Sequence, residues 1–348
     1  MVEEIPPNMR KSILVVWLLL GLTATAGVQS TGTVLLNAAG ATFPYPIYSK
    51  WFDVYHQQHP NIQINYQSIG SGGGIRQLLA GTVDFGASDG PMSDEQLAQA
   101  KFKILLFPTV LGAVVPTYNV ADMAGELNFT QKALAGIFLG TITKWNDLEI
   151  ANANKGVSLP GADIVVVHRS DGSGTTYIWT DFLAKVSEDW KTKVGKGTSP
   201  NWPVGLGGKG NEGVTGLVKQ TPNSIGYIEL IYAVQNNIPY GKVQNAAGKF
   251  VKADLAGVTA AAEKESKEIP EDFRVSITNA PGPASYPVAS FTWLLIPAQI
   301  SDAAKRDAIK GFLKWMLNEG QNYNEGLSYA RLPKAVIAKE SKAISLIQ

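Results

Sequence analysis

Residues 163–186 read DIVVVHRSDGSGTTYIWTDFLAKV, and three kinds of chemistry follow one another inside them. Ile164 and the valines after it predict a buried strand. Ile178, Phe182 and Val186 fall at helical spacing and predict a helix. Between the two, RSDGSGTT (169–176) crowds a cation, a carboxylate, several hydroxyls and two glycines into one turn. A helix start exposes free backbone N–H groups and the positive end of the helix dipole, so such a turn suits an anion. Gly172 and Gly174 let the backbone approach a ligand, Ser173 and Thr175 can donate, and the fork of Arg169 matches an oxyanion. Taken alone, the stretch also fits an ordinary capped helix start, because Asp and Ser are favoured N-caps.

The same arrangement recurs. SIGSGGGIRQLL (68–79) places Ser68, Ser71 and several glycines between a strand pattern and a helix pattern. AGATFPYP (39–46) offers Thr42 and the N–H of Phe43 where another helix begins. Three donor-rich helix starts on one chain point to a shared anion site.

The rest of the chain alternates in the same way. Ile47, Trp51, Val54 and Tyr55 recur at helical spacing, Ile62, Ile64 and Tyr66 alternate as in a strand, and Ile75, Leu78 and Leu79 return to the helix. VDFGASD (83–89) is again a strand, and Ser93 with Gln96 makes a capping box. FTQKALAGIFLG (129–140) and the helix of 301–317 continue the series. The pattern predicts an α/β fold with largely parallel sheets. A length of 348 residues fits two lobes, and with no linker visible, crossing strands would join them.

Composition excludes several classes. The net charge is +1 and there is no run of Lys or Arg, so nucleic acid is not an expected partner, and any anion must be held by local donors. Cysteine is absent, which removes disulfides, thiolate metal sites and Cys nucleophiles. At the N-terminus, Arg10 and Lys11, an apolar run from Ile13 to Leu22, and Ala24-Thr25-Ala26 form a secretory signal pattern over residues 1–26. The apolar run is shorter than the roughly 20 residues of a membrane span. With no Cys after it, no lipid anchor is expected. Glu3, Glu4 and Pro6-Pro7 suit a signal poorly and suggest Met9 as the working start.

Catalytic and cofactor motifs fail on spacing. GLGGKGNEG (205–213) resembles a P-loop, but Gly210 follows Lys209 where Ser or Thr is required. Ile69 and Asp171 stand where a serine nucleophile elbow on Ser71 or Ser173 needs Gly. His56 and His59 read as the end of a helix before Pro60 rather than as a metal pair, so neither metal nor cofactor is expected.

Taken together, AGATFPYPIYSKW (39–51), IGSGGG (69–74), VDFGASDGPMS (83–93), RSDGSGT (169–175), WPVGLGGKGNEG (202–213) and LSYARLP (327–333) strongly resemble the periplasmic phosphate-binding protein family of ABC transporters. The resemblance implies a two-lobed, type II (Venus-flytrap) periplasmic binding protein fold with hinge strands. Residues 27–115 with 287–348 would form the first lobe and residues 116–286 the second. It implies inorganic phosphate bound by Thr42, Phe43 through its N–H, Ser71, Asp89, Arg169, Ser173, Gly174 through its N–H, and Thr175, with Asp171 pairing Arg169. It further implies a monomer that delivers phosphate to membrane permease subunits. Gly72, Gly90 and His168 depart from residues common in relatives. Phosphate near neutral pH carries a proton that Asp89 can accept, whereas sulfate carries none and would meet Asp89 as a clash. Asp89 before Gly90-Pro91 also reads as a turn residue. The alternatives are a receptor for sulfate or molybdate, and a secreted phosphatase using Ser71 or Ser173.

Overall fold

Strand and helix patterning resolves into one eight-stranded sheet in the computed structural model, which describes residues 32–121, 125–263 and 265–348. The signal pattern and the start at Met9 lie outside the described residues. Among the described residues, no helix is long and apolar enough to cross a membrane.

The main sheet is built from β1 (Val34–Gly40), β2 (Ile62–Ser68), β3 (Phe85–Ser88) and β4 (Ile104–Asn119). A short β5 (Asn128–Phe129) precedes β6 (Val165–Arg169), β7 (Leu206–Gly208) and β8 (Ser224–Glu229). The chain then passes through β9 (Lys242–Gln244) and β10 (Phe250–Val251) before β11 (Ala289–Pro297) returns to the sheet. The order is β2-β1-β3-β11-β4-β8-β6-β7, and β10-β9-β5 form a small second sheet.

The expected α/β class holds, but the sheet is mixed. β2, β1 and β3 run parallel at one end and β8, β6 and β7 at the other, each joined through helices as the alternation requires. The centre is antiparallel, because β11 runs against both β3 and β4, and β4 runs against β8. Both β4 and β11 are buried almost along their whole length, so their apolar runs carry no period from which direction could be read.

β4 is the spine of the molecule. Ile104 to Ala113 pair with β11, and Val114 to Asn119 pair with β8, so a single strand belongs to both ends of the sheet. Pro108 interrupts its donors, and the register shifts there: Trp293 lies opposite Pro108 and Thr292 opposite Val110, which leaves Thr109 as a bulge. The capping box forms as expected, with Ser93 Oγ accepting from Gln96 N at 3.3 Å and Ser93 N donating to Gln96 Oε1 at 3.0 Å.

One core residue breaks the apolar pattern. Glu340, in helix Lys334–Ala343, is fully buried, and neither carboxylate oxygen has a hydrogen-bond partner among the described residues. Burial holds its pKa well above the ordinary glutamate value. The folded chain therefore keeps a proton that the unfolded chain releases, and stability falls as pH rises above the unfolded value. Glu340→Gln removes this linkage, so its melting temperature relative to the parent protein rises steadily between pH 5 and pH 8. A flat difference across that range would show that Glu340 keeps an ordinary pKa.

Candidate functional site

Five strand ends feed one site. β1 runs into Thr42 and Phe43, β2 into helix Ser71–Leu79, and β3 into Asp89. From the other end of the sheet, β6 finishes at Arg169 before helix Gly174–Val186, and β7 leads into helix Gly210–Gln220. Carboxyl ends of parallel strands are where an open α/β sheet places its ligand crevice, because the following helices turn their N-termini toward it.

The sequence-predicted residues do come together. A side chain built onto Gly174 would overlap Ser71 Oγ and lie 2.6 Å from Asp89 Oδ2, so the helix start bearing Gly174 faces Ser71 and Asp89 directly. Thr42, Phe43, Ser71, Asp89, Arg169, Ser173 and Thr175 are all at most 3% exposed, so water does not reach the group. The two walls touch where Gly72 N–H donates to Gly172 O at 2.8 Å. A Cβ at residue 72 would sit 3.1 Å from Gly172 Cα, so glycine there permits this approach.

Proton bookkeeping gives the site its polarity. A hydroxyl has one proton and two lone pairs, so one that accepts from N–H groups turns its proton elsewhere. Thr42 Oγ1 accepts from Asn211 N at 3.2 Å and Asn211 Nδ2 at 2.8 Å. Thr175 Oγ1 accepts from Asn211 Nδ2 at 3.1 Å and from Arg169 Nη1 at 3.2 Å. Ser71 Oγ accepts from Asp89 N at 3.2 Å, and Ser173 Oγ caps its helix by accepting from Thr176 N at 3.0 Å. The hydroxyl protons of Thr42, Thr175 and Ser173 are thereby free to donate to a ligand, while that of Ser71 is also within reach of the Asp89 carboxylate. Tyr232 O–H donates to Thr42 O at 2.6 Å, and the planar trans peptide then points the Phe43 N–H the opposite way.

Arg169 supplies the charge, and its own partner moderates it. Nε and Nη2 donate to Asp171 Oδ1 and Oδ2 at 2.8 and 2.6 Å, and Gly210 N donates to Oδ1 at 3.0 Å. Burial pushes Asp171 upward, but the hydrogen bonds and charge of Arg169 and the Gly210 N–H outweigh it, leaving its pKa below the usual aspartate value. Asp89 lacks such a partner. Burial raises it to about 7, against the opposing hydrogen bond from Thr292, the Arg169 charge and the hydrogen bond with Ser71. The site is thus rich in donors around one acceptor, Asp89, which takes up a proton far more readily than an ordinary aspartate.

Several residues here escaped sequence reasoning. Asn211 is fully buried, and Glu229 N fixes its orientation by donating to Asn211 Oδ1 at 2.9 Å, which aims Nδ2 at Thr42 and Thr175. The signal lies in the strand-turn-helix pattern of residues 206–220, a stretch that fails as a P-loop and carries the family resemblance without singling out Asn211. Thr292 O–H donates to Asp89 Oδ1 at 2.8 Å from the middle of an apolar strand. His168, by contrast, stacks on Trp202 at 4.7 Å, with Nδ1 3.0 Å from the Arg169 carbonyl, and is directed away from the donor group.

This is the type II periplasmic-binding-protein fold, and a PBP superfamily domain model matches residues 26–319. A solved phosphate-binding protein from Stenotrophomonas maltophilia, 18% identical, superposes with a TM-score of 0.67 over 89% of this chain and 94% of that one. Among curated relatives, the phosphate-binding protein PstS of Xylella fastidiosa is 46% identical over 90% of this chain and 86% of its own. That of Pasteurella multocida is 44% identical, covering 92% of this chain and 93% of its own. The chain belongs to the PstS phosphate-binding protein family.

Asn211→Ala leaves the Thr42 and Thr175 hydroxyls free to rotate, and a side-chain hydrogen-bond pair of this kind is worth about tenfold in affinity. Titration with inorganic phosphate should show that loss alongside a lowered melting temperature, because the buried Glu229 N–H also loses its partner. Unaltered affinity would reduce Asn211 to a packing role.

Proposed function

We propose that the protein is a periplasmic receptor that captures one inorganic phosphate between two lobes and delivers it to the permease subunits of an ABC transporter. The observation that carries this reading is the donor ring closed around the single acceptor Asp89. The ligand shell is Thr42, Phe43, Ser71, Asp89, Arg169, Ser173, Gly174 and Thr175, with Asp171 setting Arg169. The lobes are residues 27–115 with 287–348 and residues 116–286. The change of partner on β4 at Ala113 and Val114 supports this division, since a strand shared by both ends of the sheet is a suitable hinge. The signal pattern of residues 1–26 supports export, and the chain acts as a monomer.

The chemistry favours a protonated oxyanion. When the lobes are open, Asp89 meets water and is ionised at neutral pH. Closing the lobes around nothing strips its solvent and drives it toward protonation. Phosphate carries the needed proton on one of its own oxygens and hands it to Asp89 as a hydrogen bond, so closure leaves the carboxylate satisfied. Sulfate brings no proton, and closing on it requires Asp89 to take one from solvent. A receptor reading also suits the serines: Ser71 and Ser173 accept from backbone N–H groups, and neither is hydrogen-bonded to a histidine among the described residues.

Calorimetric titration of protein stripped of bound anion by unfolding and refolding is the direct test. Phosphate should bind tightly and one to one at pH 8, while sulfate gives no heat there and begins to bind only below about pH 7. Asp89→Asn, which cannot accept that proton as a carboxylate, should lose phosphate affinity and admit sulfate at pH 8. Equal response of the unaltered protein to both anions, or no response to phosphate, would overturn the assignment.

A further inference from the structure

Thr292 sits on β11, between an apolar neighbour on either side and far in sequence from every donor-rich turn. Its side chain is fully buried, and its hydroxyl reaches two acceptors, Asp89 Oδ1 at 2.8 Å and Ser88 O at 3.4 Å. With one proton to give, it gives it to the nearer, charged acceptor. The backbone carbonyl of Thr292 is in turn held by Thr109 Oγ1 at 3.2 Å. Thr109 has thereby spent its proton, so the contact of 2.9 Å between Tyr48 O–H and Thr109 Oγ1 is a donation from the tyrosine.

The chain of donors therefore runs from Tyr48 to Thr109 to the Thr292 peptide, and the Thr292 hydroxyl ends on Asp89. The bulge at Thr109 makes this possible: in a regular ladder, successive side chains of β4 would alternate faces, and the extra residue turns Thr109 toward the Thr292 carbonyl. The two carboxylate oxygens of Asp89 are then unequal. Oδ1 is occupied from behind by Thr292, and Oδ2 faces the Gly174 helix start and Ser71.

We infer that Thr292 is the positioning residue for oxyanion discrimination: by occupying Oδ1 it holds Asp89 as an ionised acceptor whose remaining oxygen is presented to the ligand. This rests on the reading of the site as a phosphate receptor and adds what selects the protonated oxyanion. A hydroxyl donor favours the carboxylate over the carboxylic acid, because its hydrogen bond to the charged oxygen is the stronger one. The other charged and titratable groups acting on Asp89 do not substitute for it. Arg169 stabilises the ionised form from across the site but is committed to Asp171, whose own charge opposes it. Glu229, Tyr48, Tyr66 and Tyr329 would oppose ionisation only on losing their own protons, and burial holds the pKa of each above its ordinary value.

Thr292→Val keeps the shape and the backbone carbonyl that Thr109 uses, and deletes only the donor. We expect phosphate affinity at pH 8 to fall about tenfold or more, as for loss of a hydrogen bond to a charged group. The pH below which sulfate begins to bind should move upward, because Asp89 protonates more readily. Thr292→Ser should restore both. The parent protein, titrated in parallel, separates the two levels of inference. If it fails to bind phosphate, the receptor reading fails. If it binds phosphate and Thr292→Val shows an unshifted sulfate profile, or Thr292→Ser fails to rescue, the role of Thr292 is refuted while the receptor reading stands.

Discussion

Asp89 is a carboxylate in a place where water cannot reach it, and much of the surrounding structure is a response to that fact. An isolated charge in a protein interior costs several kcal/mol, which is enough to change its protonation or to forbid closure of the site. The protein leaves that cost only partly offset: Thr292 covers one oxygen, Ser71 adds a hydrogen bond, and Arg169 acts at a distance because Asp171 holds its fork. A full ion pair to Asp89 would have made the empty site comfortable. On the proposed reading, an incompletely satisfied acceptor instead makes closure depend on what arrives, and only a ligand with a proton to share completes it.

The framework that makes such a site stable is the antiparallel centre of the sheet. β4 and β11 pack on both faces, with Phe107, Val110, Leu111, Phe291, Trp293 and Leu295 essentially inaccessible. They are joined along nine residue pairs with a single irregularity, which falls beside the site. Exposed ion pairs such as Lys144–Asp163 contribute roughly 0–1 kcal/mol each and do not hold this architecture. Hydrophobic burial along β4 and β11 does, and it is what permits a bulge and a buried threonine chain at the point where function needs them.

Much of this was legible in the sequence, for physical reasons. Donor-rich turns at residues 42–43, 68–75 and 169–176 announce themselves, because a free helix start needs small and hydroxylic residues wherever a backbone must approach a ligand. Periodicity exposed β2 and the helices of residues 45–58 and 71–79, each of which has one face toward solvent and one toward the core, whereas the helix of residues 174–186 is buried along most of its length and is announced by its donor-rich start. β4 and β11 had no such contrast, and Pro108 and Pro116 within β4 argued against a strand. Thr292 was hidden by the same cause: a hydroxyl inside ASFTWLLIP (289–297) looks like a β-branched filler until the partner 203 residues earlier in the chain is known. Asn211 was obscured differently, by a glycine-rich motif whose more familiar meaning failed and drew attention from the simpler one.

Neutral balance over the whole chain also has a mechanistic sense. With a net charge of +1, long-range attraction contributes little, and on the proposed reading the anion is held by dipoles and hydroxyl protons whose strength grows only as water is expelled. Such donors are fixed in place by Asn211, Tyr232 and the helix starts before the ligand arrives, so little ordering remains to be done on binding. In the proposed cycle, reopening of the walls lets water return, the same donors weaken together and the anion is released. Arg169, restrained by Asp171, supports both halves of that cycle: a free guanidinium would keep hold of a dianion in the open state, and no cation at all would leave the closed state with unbalanced negative charge.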